Sequence, residues 1–172
     1  MTKKEMKNAL RKKIKKIISK YDSKSYPFDF YDLLKGKNIA IYYPIDKELV
    51  IDLKKFDKDI NLYLPFSYKD GKMVFRKMAN YVTDELGIMS SDGEEIDAKM
   101  LDTILIPAYA YNKKGYRLGH GHAYYDRVLA HVNALKIGFC LDECVIEDSF
   151  EESHDLKVDY IVSEKNIYKI GK

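Results

Sequence analysis

Within the thirteen residues Gly115-Tyr-Arg-Leu-Gly-His-Gly-His-Ala-Tyr-Tyr-Asp-Arg127 stand two arginines, spaced glycines, two histidines, three tyrosines and a carboxylate. Glycines let backbone approach a ligand closely, and free N–H groups at the start of a helix attract anions. Arg117 offers a bidentate grip on phosphate or carboxylate, and Asp126 a hard oxygen ligand for the divalent cation that accompanies phosphate. The stretch lacks the Gly-Lys-Ser/Thr of a Walker loop and the spacing of a dinucleotide-binding fingerprint. Taken alone, it fits a phosphate site. It fits equally well a set of turn glycines, core tyrosines and a carboxylate placed by the helix dipole. His120-x-His122 is a possible zinc pair, but spacing suggests no third ligand, and Arg117 and Asp126 suit phosphate and magnesium better.

The elements that must position this loop alternate between helix and strand. Met6, Leu10, Ile14, Ile17 and Ile18 recur at helical spacing and predict an amphipathic helix over 3–20. Strands are expected at Asn38–Tyr43, Asn61–Pro65, Lys72–Met78, Leu101–Pro107, Leu135–Phe139 and Asp159–Val162. Asp46–Phe56 reads as helical or turn-like, Met89–Glu95 as loop, and Ala123–His131 as helix. Apolar strands alternating with helices imply an α/β fold, a mostly parallel central sheet flanked by helices on both faces, in one domain spanning 1–172. In such folds ligands sit at the carboxyl ends of the strands, where the glycine loop falls.

Composition narrows the function classes. The 172 residues include 46% hydrophobic and 33% charged side chains, as expected of a soluble globular protein. A net charge of +3, with lysines concentrated in the first helix, gives no footprint for nucleic acid. No signal-peptide core and no run of membrane-spanning length is present, so a cytoplasmic protein without a membrane partner is expected. Cys140 and Cys144 lack the second ligand pair of a structural zinc site and read as reduced thiols.

Arg117-Leu118-Gly119-x-Gly121-x-x-Tyr124-Tyr125-Asp126 resembles the signature of the 5-formyltetrahydrofolate cyclo-ligase family. Further segments resemble that family in order: Lys7-x-x-Leu10-Arg11, Tyr43 to Glu48, Leu64-Pro65 with Met73, Leu105–Tyr111, and His154–Glu164. The resemblance implies ATP- and Mg2+-dependent conversion of 5-formyltetrahydrofolate, polyglutamylated or not, to 5,10-methenyltetrahydrofolate. The formyl oxygen is phosphorylated and N10 then closes the ring.

It further implies that Lys7, Arg11, Arg117 and the stretch Leu118, Gly119, His120, Gly121, His122, Ala123, Tyr124 and Tyr125 hold ATP. Arg117, His120, His122 and Tyr124 would act at the reacting groups. Arg11, Tyr43, Glu48, His120 and Tyr124 would meet the folate, and Asp126 and Asp159 would bind magnesium. Ala123 stands where the resemblance leads one to expect glycine, and it restricts the backbone there. A monomer or weak dimer is expected. The alternatives are a divergent paralogue that activates another formyl or carboxyl compound, and a non-catalytic folate- or nucleotide-binding protein.

Overall fold

The computed structural model describes residues 1–120 and 123–171. The first helix, α1 (Lys3–Ile18), starts at a capping box: the Glu5 N–H donates to Thr2 Oγ1 at 3.1 Å while the Thr2 N–H donates to Glu5 Oε1 at 3.0 Å. Leu10 and Ile14 form its buried stripe, and Lys7 and Arg11 lie one turn apart beside that stripe.

Thirteen strands follow among the described residues. β1 (Asn38–Ala40), β2 (Asn61–Ser67) and β3 (Met73–Lys77) precede a hairpin of β4 (Tyr81–Thr83) and β5 (Met89–Ser91), then β6 (Glu95–Ile96) and β7 (Thr103–Pro107). β8 (Ala110–Asn112) and β9 (Arg117–Leu118) lead into α2 (Tyr124–Val128), and β10 (Leu135–Phe139), β11 (Val145–Ile146), β12 (Tyr160–Val162) and β13 (Ile167–Lys169) complete the chain.

Eight strands form the main sheet in the order β13-β12-β10-β7-β1-β2-β3-β6. The pairings from β12 through β10, β7 and β1 to β2 are parallel, while β13, β3 and β6 join antiparallel at the edges. β7 (Thr-Ile-Leu-Ile-Pro) is buried along its whole length, because a strand between parallel neighbours has no solvent-facing side. Ile104, Leu105 and Ile106 are all fully buried, each contributing about 2 kcal/mol of apolar burial.

The mostly parallel α/β sheet is as the sequence led us to expect, and among the described residues α1, α2 and four short 3₁₀ turns supply the helical cover. Irregular segments carry much of the remaining packing: Phe30, Leu49 and Ile51 are buried though none lies in a regular element. Residues 46–56 are turn and coil ending in a 3₁₀ turn at Leu53–Lys55, not a helix. Residues 89–95 were expected to be loop, yet Met89–Ser91 is strand and Glu95 opens another. Ser90 and Ser91 are buried, not exposed: Ser90 Oγ donates to the Pro65 carbonyl at 2.7 Å and Ser91 Oγ to the Lys77 carbonyl at 2.6 Å. Cys140 and Cys144 are free and buried, and burial pushes the Cys144 thiol up to about 12, away from reactivity.

Candidate active site

The carboxyl ends of β1, β2 and β7 open on a cleft of about 390 Å³. Tyr42, Tyr43, Ile45 and Glu48 come from the irregular crossover after β1, Pro65 and Ser67 from the end of β2, and Pro107 from the end of β7. Leu86, Ile88 and Met89 of the β4–β5 hairpin form an apolar rim, and Arg117, His120, Ala123, Tyr124 and Tyr125 close the remaining side.

Arg117 is held by a short hairpin. Asn112 Oδ1 accepts from the N–H groups of Lys114 and Tyr116, and Gly115 turns the chain at φ 93°, so β9 pairs back on β8 with Arg117 opposite Tyr111. Arg117 Nε donates to the Pro107 carbonyl at 2.9 Å, and its guanidinium lies 4.9 Å from the Tyr125 ring centroid. Gly119 makes room for it, since a Cβ at that position would sit 2.2 Å from Arg117 Nη1.

From α1, Arg11 Nε donates to the Gly119 carbonyl at 2.8 Å, and its basicity is lowered by burial and by the neighbouring charge of Arg117. Both guanidiniums are thus anchored by backbone carbonyls, and neither forms an ion pair among the described residues. Two like charges that lack carboxylate partners at one glycine turn create a strong local preference for an anion.

Glu48 lies in the opposite wall, where its Oε1 accepts from the Ile45 N–H at 2.9 Å. Burial raises its pKa to about 7, against the opposing pull of that hydrogen bond and of Arg117. His120 stacks on Tyr109 with centroids 4.0 Å apart, and Lys15 lies 5.7 Å from the Tyr109 ring centroid. Tyr124 donates its hydroxyl proton to the Tyr68 carbonyl, and Arg127 donates to the Gly71 carbonyl at 3.0 Å, so α2 is tied to the β2–β3 turn. Tyr43 is 42% exposed at the mouth, edge-on to Tyr81.

Of the expected site residues, Tyr43, Glu48, Arg117, His120, Ala123, Tyr124 and Tyr125 line one cleft, with Leu118 and Gly119 forming the backbone behind Arg117. Gly121 and His122 lie outside the described residues. The helix expected over Ala123–His131 is shorter, Tyr124–Val128, and too short to develop an anion-attracting dipole. Ala123 precedes it at φ 55°, in the left-handed region that glycine favours, so the restriction anticipated there is present as backbone strain.

The structure does not bring Asp126 and Asp159 together. Asp159 accepts from the Lys136 N–H at 2.9 Å at the amino end of the β10–β12 pair, while the cleft opens at carboxyl ends. Asp126 Oδ1 accepts instead from the Leu156 N–H at 2.8 Å, which draws the preceding residue, Asp155, toward the glycine turn. Lys7 Nζ reaches Asp155 at 2.7 Å in a largely buried pair and the more exposed Glu152 at 3.3 Å, and Asp155 also acts electrostatically on Arg11. Lys7 therefore meets carboxylates beside the anion site. Ligand atoms of Glu152, His154 and Asp155 lie within 4.8 Å of one another. Sequence reasoning missed Asp155, although the adjacent His154-Asp155 pair sits in the segment that carries the family resemblance.

An apolar cleft at the carboxyl edge of a parallel sheet, with a cationic glycine turn on one wall and a carboxyl on the other, stands where α/β folds place their ligand sites. The chain belongs to the 5-formyltetrahydrofolate cyclo-ligase family, whose model matches residues 29–164, and so to the ligases.

It is 26% identical over 159 residues to a probable 5-formyltetrahydrofolate cyclo-ligase of Schizosaccharomyces pombe, covering 77% of this chain and 78% of that one. It is 31% identical over 113 residues to the 5-formyltetrahydrofolate cyclo-ligase of Mycoplasma genitalium, covering 62% and 60%. The NMR structure of Aquifex aeolicus 5,10-methenyltetrahydrofolate synthetase superposes with a TM-score of 0.73 at 28% identity, over 100% of this chain and 94% of that one. No helix among the described residues is long and apolar enough to cross a membrane.

Proposed function

We propose that the protein uses ATP to close 5-formyltetrahydrofolate to 5,10-methenyltetrahydrofolate. The observation that carries this reading is the pair of guanidiniums, Arg11 and Arg117, anchored by carbonyls around the Gly119 turn and beside an apolar cleft. Family membership supplies the substrate.

A formamide carbon is a weak electrophile. Transfer of the γ-phosphoryl group to its oxygen, with ADP leaving, makes that oxygen a leaving group. N10 then attacks the carbon, its proton passes to phosphate or solvent, and the C–O bond breaks to release phosphate. Such chemistry needs alignment and charge neutralisation rather than a covalent nucleophile. Arg117 and Arg11 would hold the phosphates, and the turn through Leu118, Gly119 and His120 would bring backbone close to them. Ala123, Tyr124 and Tyr125 would close the far side of the cleft, with Tyr124 against the formyl end of the folate. Glu48 and Tyr43 would hold the ring, with Glu48 accepting from ring nitrogens when ionised.

The donor set fits a magnesium ion, which prefers carboxylate oxygens beside phosphate. Asp126 and Asp155 would hold it, and when bound it would neutralise phosphate charge. Asp159 stands outside this group because its carboxylate is engaged at the amino edge of the sheet.

The test mixes protein, ATP, magnesium and 5-formyltetrahydrofolate and follows the near-ultraviolet absorbance of the methenyl product. Turnover should fall by roughly 100-fold or more in Asp126→Asn and Asp155→Asn, the scale on which one transition-state charge contact acts. Asp159→Asn should retain it. ATP hydrolysis without the methenyl signal would replace this substrate with another formyl or carboxyl compound.

A further inference from the structure

Asp84 is a buried carboxylate, 7% exposed, with no ion-pair partner among the described residues. Its two oxygens do separate jobs. Oδ1 accepts from the N–H groups of Leu86 and Ile88, both at 2.9 Å, and so shapes the tip of the β4–β5 hairpin. Oδ2 accepts from the Ser67 N–H at 3.1 Å, and so pins that tip to the end of β2. The neighbouring Glu85 N–H donates to the Ser67 carbonyl at 3.1 Å, and the Lys69 N–H donates to Glu85 Oε1 at 2.8 Å. A carboxylate taking three backbone N–H bonds is a strong local staple, since each charge-assisted bond is worth more than a neutral one.

What the staple holds is functional surface. Leu86, Ile88 and Ser67 all line the cleft, and Leu86 is 41% exposed and presents an apolar face there. A two-stranded hairpin of three-residue strands has little stability of its own, so its tip stays where tertiary anchors put it.

We propose that Asp84 is a positioning residue that sets the affinity of the cleft for its ring-bearing substrate by fixing Leu86 and Ile88 on the rim. This rests on the function proposed above. Asp84 touches no reacting group; it acts through the hairpin tip.

Asp84→Asn separates the two jobs. The amide can keep one oxygen toward Leu86 and Ile88, but it turns an NH2 group on the Ser67 N–H, so the tip is shaped but unpinned. The expected result is a KM for 5-formyltetrahydrofolate raised about tenfold, equivalent to about 1.4 kcal/mol, with kcat and the KM for ATP within twofold. Leu86→Ala should raise the same KM, and the double variant should be no worse than Asp84→Asn alone, because both remove one contact. Additive effects, or a fall in kcat with KM unchanged, would overturn the proposal. If Asp84→Asn does not fold, an unchanged KM in Leu86→Ala overturns it just as well. Hydrogen exchange at the Ser67, Leu86 and Ile88 amides is read in parallel without substrate. Faster exchange in Asp84→Asn together with no turnover by the unmodified protein would refute the substrate reading and leave the pin standing, whereas unchanged exchange refutes the pin itself.

Discussion

Glu48 should make the protein less stable as pH rises through neutrality, and Glu48→Gln should remove that dependence. The carboxyl, ordinarily near 4.5, is raised to about 7 in the folded protein, chiefly by burial. A raised acid binds its proton more tightly when folded than unfolded. Its contribution is therefore fully present below pH 4.5, declines between about 4.5 and 7, and is gone above that. At 1.36 kcal/mol per pH unit the full window corresponds to a ceiling of about 3 kcal/mol.

Water at the cleft mouth screens part of this, so about 2 kcal/mol is expected between pH 5 and 8. For a chain of this size that is a fall in Tm of roughly 4–8 °C. Gln keeps an oxygen for the Ile45 N–H but cannot ionise, and the charges that act on Glu48 (Arg117, Asp46 and Lys24) remain in place. Thermal melts of both proteins at half-unit steps from pH 5 to 8, in constant ionic strength, isolate the term as a difference. Parallel curves would show that Glu48 ionises freely in the folded state and that the wall of the cleft is wetter than its geometry implies.

Exchanges between glycine and alanine at positions 119 and 123 give further tests. Gly119→Ala places a Cβ 2.2 Å from Arg117 Nη1 and 2.9 Å from its Cζ, so the guanidinium must leave the Pro107 carbonyl. Turnover should drop by about 100-fold with the far-ultraviolet circular dichroism unchanged, and a loss under about threefold would mean that Arg117 is not held for chemistry. Ala123→Gly should act in the opposite sense on stability, because Ala123 sits at φ 55° and ψ 27°. Relief of a left-handed alanine, about 1–2 kcal/mol, outweighs the extra unfolded-state freedom of glycine, so Tm should rise by roughly 2–4 °C. A lower Tm would refute the strain.

The strands of the parallel core were readable because burial on both sides leaves short apolar runs, as in Ile104-Leu105-Ile106-Pro107 and Ile137-Gly138-Phe139. The glycine turn was readable because chemistry is dense there. Two other features were hidden for physical reasons. The run Met-Ser-Ser-Asp-Gly looks like loop because polarity usually signals exposure, but Ser90 and Ser91 satisfy their hydroxyls on the Pro65 and Lys77 carbonyls and go inside. Asp155 and Asp159 lie four residues apart in Asp-Leu-Lys-Val-Asp, and nothing in their spacing separates a candidate ligand from a carboxylate that caps the sheet edge. Only the contacts with α1 and with Asp126, made across more than a hundred residues in one case, distinguish them.

Those contacts also bear on how charge is managed around the glycine turn. Arg11 and Arg117 rest on carbonyl oxygens, which orient a guanidinium without neutralising it, so an incoming phosphate displaces no carboxylate from them. Lys7 is different, because its pair with Asp155 is largely buried, and losing that partner would be costly. Under the proposed function, Asp155 and Asp126 would hold the cation that supplies the carboxylate with a counter-charge in place of Lys7, and Lys7 would then be free to meet phosphate oxygens. Each buried charge would stay compensated only if metal and phosphate arrived together, so the proposed function carries the expectation that the metal–nucleotide complex binds better than either component alone.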